Sequence, residues 1–141
     1  MKIFYPVLLG AMLTACATSY QSNGLMGGYS EKQLKENVFE VKFGGNGLTT
    51  RQRATDFALL RSAELTLEKG YNYFVIIDNQ RVLRVTKESV DFSSTGTSPS
   101  TYHVRQPTAI NTIVCFKNKP DGESYDAREV VHSLKQKYDL D

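Results

Sequence analysis

Residues 49–78, TTRQRATDFALLRSAELTLEKGYNYFVIID, decide the fold of this chain. Residues 51–69 contain no glycine or proline and are rich in Ala, Leu, Glu and Arg, which favours one long helix. Thr49 and Gln52 fit a capping box at its start, and Gly70 suits the left-handed position that ends a helix. Residues 71–77 are aromatic and β-branched, which predicts a central strand buried on both faces.

The apolar residues of this helix fall on two sides when the sequence is wound at about 100° per residue. The first side comprises Ala54, Phe57, Ala58 and Leu65, and the second comprises Leu59, Leu60, Ala63 and Leu67. A helix that is apolar on most of its circumference is usually covered on more than one side. We expect other segments of this chain to cover both sides, and a partner protein is the alternative.

The remaining elements complete an α+β fold in two layers, with a mixed sheet of about four strands and both helices on one face. Residues 37–43 alternate as a half-buried strand, residues 109–117 form another, and residues 125–138 form a helix with one apolar stripe. The order strand, helix, strand around residues 37–77 predicts a crossover with parallel strands. Residues 82–92 are expected to return as a hairpin, and residues 93–108 to form a mobile Ser/Thr-rich loop.

The N-terminus resembles an export signal. Residues 1–15 carry a basic Lys2 and a short apolar run, which is typical of a secretory signal peptide. About 14 helical residues span roughly 21 Å, less than the ~30 Å hydrocarbon core of a membrane. Leu13-Thr14-Ala15-Cys16 looks like a bacterial lipobox, and the alternative is an ordinary signal-peptidase site beside an unrelated cysteine.

Cys16 is therefore predicted to be the first mature residue and to carry at least two acyl chains, such as palmitate, because one chain anchors only marginally. Ala17, in place of Asp, predicts sorting to the outer membrane with the domain facing the periplasm. Residues 16–30 are expected to form a flexible tether of roughly 20 Å, followed by one globular domain over residues 31–141. Cys115 is the other cysteine, and its apolar surroundings predict a buried, inert thiol.

The charge of the mature chain is close to balanced. Lys2 lies in the leader, so 16 of the 17 basic residues remain against all 15 acidic ones. This balance gives no electrostatic footprint for nucleic acid. Neither histidine has a partner at metal-ligand spacing, so no metal or cofactor is expected.

Three segments together resemble a known family. They are GGNGLTTRQ at residues 44–52, RATDFALLRSAELTLEKGYNYFVI at residues 53–76, and YDAREVVHSLKQKY at residues 125–138. The chain resembles a family of small proteobacterial lipoproteins over most of residues 28–138, and in such relatives the Ser/Thr-rich loop is longer. The resemblance implies a lipid-anchored location and this layout of elements. It implies no activity and no catalytic residues.

The glycine-rich turn before the helix is one candidate site. Amides at a helix start can bind anions, and the candidate residues here are Gly45, Gly47, Thr49, Thr50, Arg51 and Arg53. The turn fits neither the phosphate-loop nor the dinucleotide-binding pattern. A tight turn followed by a helix cap is the alternative interpretation, and we favour it.

Asp56, Arg61 and Glu64 form the second candidate site, either as a small active site or as a structural polar network. Ion pairs at i, i+3 spacing, Arg53 with Asp56 and Arg61 with Glu64, favour the structural interpretation. The sequence therefore predicts an envelope lipoprotein that serves as a non-catalytic interaction or structural module with a possible envelope protein partner. The alternatives are a protein that binds a small ligand or anion, and an enzyme that uses these three residues.

Overall fold

The computed structural model describes residues 20–22, 27–90 and 100–141, and for residues 82–90 and 100–105 it describes the backbone alone. The elements are β1 (Gly28–Lys35), β2 (Val38–Gly44), α1 (Arg51–Glu68), β3 (Tyr73–Val90), β4 (Ser100–Phe116), β5 (Tyr125–Asp126) and α2 (Ala127–Lys137). They form one sheet with the strand order β1-β2-β4-β3-β5 and a second layer of two helices. The predicted two-layer α+β fold is confirmed.

The sheet differs in detail from the predicted mixed sheet of about four strands. Over the described residues it has five strands, and every pair of neighbouring strands there is antiparallel. Strands β2 and β3 both pair antiparallel with β4, so they run in the same direction but are not neighbours. The chain turns back after β3 and inserts β4 between the two strands that α1 connects.

Strand β4, and not β3, is the central strand. In β3 only one face is covered, because Phe74 is fully buried whereas Ile77 is 60% exposed. The strand does not end at Asp78, because the pairing register skips Ile77 between Ile76 and Asp78. Such a bulge bends a strand without ending it, and β3 therefore continues to Val90 as a single element.

The predicted return strand at residues 82–92 and the loop at residues 93–108 also need correction. Residues 82–90 continue β3 and pair with residues 100–108 of β4. Residues 91–99 lie outside the described residues. The Ser/Thr content of residues 100–108 suggested a loop, but Thr, Tyr and Val at positions 101, 102 and 104 favour strands.

Strand β1 was not predicted, because its side chains are mostly exposed and polar, as is usual at a sheet edge. It begins at Gly28, so the predicted tether over residues 16–30 overlaps the folded domain. Tyr20 packs against Tyr29 with ring centroids 5.1 Å apart. Residues 20–22, which we call the N-terminal segment, therefore already lie on the domain, before β1 begins. Residues 1–19, including Cys16, lie outside the described residues.

Both ends of α1 are capped. Thr50, and not Thr49, is the N-cap, and its hydroxyl accepts a hydrogen bond from the Arg53 amide at 3.1 Å. At the other end Gly70 has a φ of +86°. The amide of Gly70 donates to Leu67 and the amide of Tyr71 donates to Thr66, the two bonds of a Schellman motif.

Both predicted apolar sides of α1 pack against this chain, as expected. The first side is buried at Ala54, Phe57, Ala58 and Leu65, and the second is buried at Leu60 and Ala63 and half-buried at Leu59 and Leu67. Ala63 and Leu65 pack with residues of β2, β3 and β4, and Ala127 of α2 joins the same cluster. Ala54, Phe57 and Ala58 form a second cluster with the ends of β2 and β4. The single stripe predicted for α2 is also confirmed, since Ala127 and Leu134 are buried. Within the described ranges, neither helix is long and apolar enough to cross a membrane.

Two isoleucines test the packing. Ile113 is fully buried and Ile77 is 60% exposed. Ile113→Ala should lower the free energy of unfolding by about 2–5 kcal/mol, because it opens a cavity. Ile77→Ala should change it by less than about 0.5 kcal/mol. Urea unfolding measures both, and equal losses would show that the sheet face is assigned wrongly.

Candidate functional site

The glycine-rich turn between β2 and α1 is closed by its own hydrogen bonds. The amide of Gly45 donates to the Pro107 carbonyl at 2.9 Å, and that of Asn46 donates to the Thr49 hydroxyl at 3.0 Å. Leu48 and Thr49 donate their amides to the Asn46 side chain and carbonyl. A Cβ on Gly45 would lie 2.6 Å from the Thr49 Cβ, so glycine lets the turn close around a buried Thr49.

The other predicted anion ligands do not converge on this turn. Thr50 caps the helix, while Gly47 and Arg51 are exposed. The guanidinium of Arg53 lies over the rings of Phe57 and Tyr138, at 5.1 and 5.5 Å from their centroids. The geometry therefore favours a tight turn with a helix cap over an anion site.

Asp56 is buried and accepts three hydrogen bonds. Gln52 Nε2 donates at 2.9 Å, Lys137 Nζ at 2.7 Å and the Tyr138 hydroxyl at 2.5 Å. Two of these donors come from the C-terminal end of α2 and the residue that follows it, so Asp56 fastens that end to α1. The predicted pair between Arg53 and Asp56 is wrong, because Arg53 stacks on aromatic rings and Lys137 takes its place.

This geometry shifts two pKa values. Burial raises the pKa of Asp56, but the hydrogen bonds from Lys137, Tyr138 and Gln52 outweigh burial and lower the pKa overall. Burial and the hydrogen bond to Asp56 raise the pKa of Tyr138 to about 12. The carboxylate is thus held charged and the phenol neutral near neutral pH.

Arg61 forms a second cluster. Its side chain is buried and donates to Glu31 Oε1 of β1 at 2.6 Å and to Glu68 Oε1 at 2.9 Å. The predicted pair with Glu64 is confirmed at 3.6 Å, and the guanidinium also lies 4.5 Å from the centroid of Tyr29. Burial lowers the pKa of Arg61, but the hydrogen bonds to Glu31 and Glu68 outweigh it and raise the pKa.

Tyr20 joins the same cluster from the N-terminal segment. Its hydroxyl donates to Glu64 Oε2 at 2.8 Å, and its ring contacts those of Tyr29 and Phe57. The carbonyl of Gln21 accepts from the amide of Tyr29 at 2.7 Å. Burial and the hydrogen bond to Glu64 raise the pKa of the Tyr20 phenol. The N-terminal segment is therefore fastened to β1 and α1 together.

Asp56, Arg61 and Glu64 thus belong to two separate clusters and do not share a cleft. None of the three residues lines the depressions that the described residues form beside α2 and at the β5 end of the sheet. Each residue is instead paired with side chains from another segment.

A group of buried polar side chains lies between α1 and the sheet and was not predicted from the sequence. Asn111 Nδ2 donates to Ser62 Oγ at 3.3 Å, and Asn111 Oδ1 accepts from Arg81 Nη1 at 3.2 Å. Thr66 Oγ1 lies 3.4 Å from Cys115 Sγ. Burial raises the pKa of this thiol, in keeping with the predicted inert cysteine. Asn111 was the signal in the sequence that could have predicted this group, because it is a polar residue on the inward face of an otherwise apolar strand.

Among the side chains that the structure describes, those of residues 20–22, 27–81 and 106–141, no three of His, Cys, Asp or Glu come together in a way that could hold a metal ion. Comparison with protein-family models, with curated proteins and with solved structures finds no match for this chain.

Replacing the buried carboxylate tests its role. Asp56→Asn should lower the free energy of unfolding at pH 7 by about 1.5–3 kcal/mol, the range for hydrogen bonds to a charged group. The folded pKa is below the unfolded value of about 3.9, so the stabilisation is fully present above that pH and is lost as pH falls through the folded pKa.

The difference between wild type and Asp56→Asn should therefore shrink below about pH 4. Urea unfolding at pH 7 and pH 3 measures it. Asp121→Asn, at an exposed position, is the matched control and should have little effect at either pH. An equal loss for Asp56→Asn at both pH values would show that its charge contributes nothing.

Proposed function

We propose that this chain is a membrane-anchored bacterial envelope lipoprotein whose folded domain is a non-catalytic interaction or structural module. Lipid on Cys16 would hold it at the outer membrane, with the domain facing the periplasm. The short apolar leader, the sequence Leu13-Thr14-Ala15-Cys16 and the resemblance to small proteobacterial lipoproteins support the anchor.

One observation carries the non-catalytic part of the proposal: the candidate catalytic side chains are occupied by structural partners. A general base must come within hydrogen-bond reach of a substrate proton. Asp56 already accepts from three donors, and Arg61 contacts three carboxylates. This arrangement fastens the two ends of the chain to α1 and leaves neither residue lining a described depression.

The outer face of the sheet is the surface best suited to a protein partner. Both helices lie on the opposite face, and the two apolar sides of α1 are covered. Val38, Val114 and Val75 lie side by side across β2, β4 and β3, and all three are only half-buried. Phe116 and Ile110 extend this apolar strip along β4. A membrane anchor would raise the effective concentration of membrane-bound partners, so weak contacts would suffice.

Two cysteine variants test the anchor. Cys16→Ser should leave uncleaved precursor and abolish partition into the detergent phase, because no thiol remains at the lipobox for acylation. Cys115→Ser is the matched control and should stay with the membrane, since that thiol is buried in the core. Detergent-phase partition of Cys16→Ser equal to that of wild type would refute the lipid anchor.

A photo-crosslinking amino acid tests the module in living cells. Placed at Thr112, in the middle of the outer face, it should capture a defined envelope protein. Placed at the exposed Glu129 of α2, it should not. Uncrosslinked monomer alone from position 112, in normal growth and under envelope stress, would count against an interaction module.

A further inference from the structure

The paired strands β3 and β4 project beyond the rest of the sheet. Strand β2 pairs with β4 only from Val114 to Thr108, where it ends at Gly44. Beyond that row, residues 83–90 and 100–107 pair only with each other among the described elements. We call these residues the ribbon. Val90 lies eight residue steps beyond Val82, which is in the last row that β2 joins, so at about 3.4 Å per step the ribbon projects about 27 Å from the rest of the sheet.

The N-terminal segment contacts the domain at the end of the sheet from which the ribbon projects. Gly28 pairs with Gly44, the last residue of β2, and the next residue of β1 is Tyr29. Ser22 bridges to Tyr29, and the Gln21 carbonyl accepts its amide. The amide of Gly45, one residue beyond β2, donates to Pro107, where the ribbon begins. The docked segment and the base of the ribbon are therefore close together.

The connection from this docking point to the predicted lipid is short. Cys16 precedes Tyr20 by four residues, and four residues span at most about 14 Å when fully extended. Tyr20 itself is fixed by its hydrogen bond to Glu64 and its ring contacts with Tyr29 and Phe57. The ribbon is about twice as long as this connection, so the surface of a bilayer that holds Cys16 would lie within one ribbon length of Tyr20.

The ribbon carries the charge that an anionic lipid surface attracts. It contains Arg84, Lys87 and Arg105 against Glu88 alone, a net charge of +2 that equals the formal charge of the whole chain. Valines, Leu83 and Tyr102 are interleaved with these residues. Basic residues near a membrane bind anionic headgroups, and aromatic and apolar residues favour the interface.

We propose that the ribbon is a second membrane contact, which lies against the phospholipid headgroups of the bilayer that holds Cys16. The proposal rests on the lipid anchor proposed above. This second contact holds the domain in one orientation, with the Gly44 end of the sheet toward the bilayer and the β5 end away from it.

The chain contains no tryptophan, so a single introduced Trp reports one position. Tyr102→Trp places it in the ribbon. Tyr125→Trp is the matched control, because Tyr125 is exposed and pairs with Phe74 at the opposite end of the sheet. That end lies about 24 Å from the ribbon base, seven residues along β4. Each full-length variant, purified from expressing cells, is reconstituted into phosphatidylethanolamine vesicles that contain phosphatidylglycerol and a lipid with a nitroxide on its headgroup.

The Tyr102→Trp variant should lose most of its tryptophan fluorescence to the nitroxide headgroups, and the Tyr125→Trp variant should lose little. Quenching of neither variant in vesicle-bound protein overturns the ribbon contact and leaves the anchor standing. Equal quenching of both overturns the orientation. A chain that carries no lipid and stays out of the vesicle fraction overturns the anchor and, with it, the ribbon contact.

A charge series separates headgroup binding from simple proximity. Arg84→Gln, Lys87→Gln and Arg105→Gln, combined in the Tyr102→Trp chain, should reduce the quenching at least twofold. The control combines Lys35→Gln, Lys117→Gln and Lys119→Gln, which remove the same charge at the opposite end, and should leave the quenching unchanged. Equal effects of the two sets would overturn recognition of headgroups by the ribbon.

Discussion

The buried guanidinium of Arg61 is the interaction on which the placement of the N-terminal half depends. A buried charge is tolerated only when it is paired and hydrogen-bonded. Arg61 takes its partners from α1 itself, at Glu68, and from β1, at Glu31. Strand β1 is otherwise a polar edge strand, so this ion pair and the ring of Tyr29 over α1 supply contacts that its own sequence lacks. With β1 in place, Tyr20 has a surface on which to dock.

The same helix also holds the other end of the chain. Asp56, about two turns before Glu64 of the Arg61 cluster, accepts from Lys137 and Tyr138. Both charged clusters of α1 therefore join segments that are far apart in sequence, and this explains why polar residues resembling a catalytic set form no cleft.

The sequence predicted the elements whose signals are local. The helix, its end at Gly70 and the burial of both its apolar sides follow from propensity and periodicity. The sequence could not predict β1, because the pairing of this strand uses backbone groups and its side chains are mostly polar. Nor could it predict the bulge at Ile77, which extends β3 past a turn-like sequence. The pairing of Asp56 with Lys137 spans 81 residues, and i, i+3 spacing favoured Arg53 instead.

Residues 20–22, the N-terminal segment, are part of the fold and not a free tether. This docking can be measured as the backbone order parameter, from ¹⁵N relaxation, of Gln21, whose carbonyl accepts a hydrogen bond from the Tyr29 amide. We expect an order parameter near 0.85 for Gln21, about that of a rigid backbone. We also expect a marked fall in Tyr20→Ala. A value below about 0.6 for Gln21 in the wild-type chain would show instead that this segment is a flexible tether.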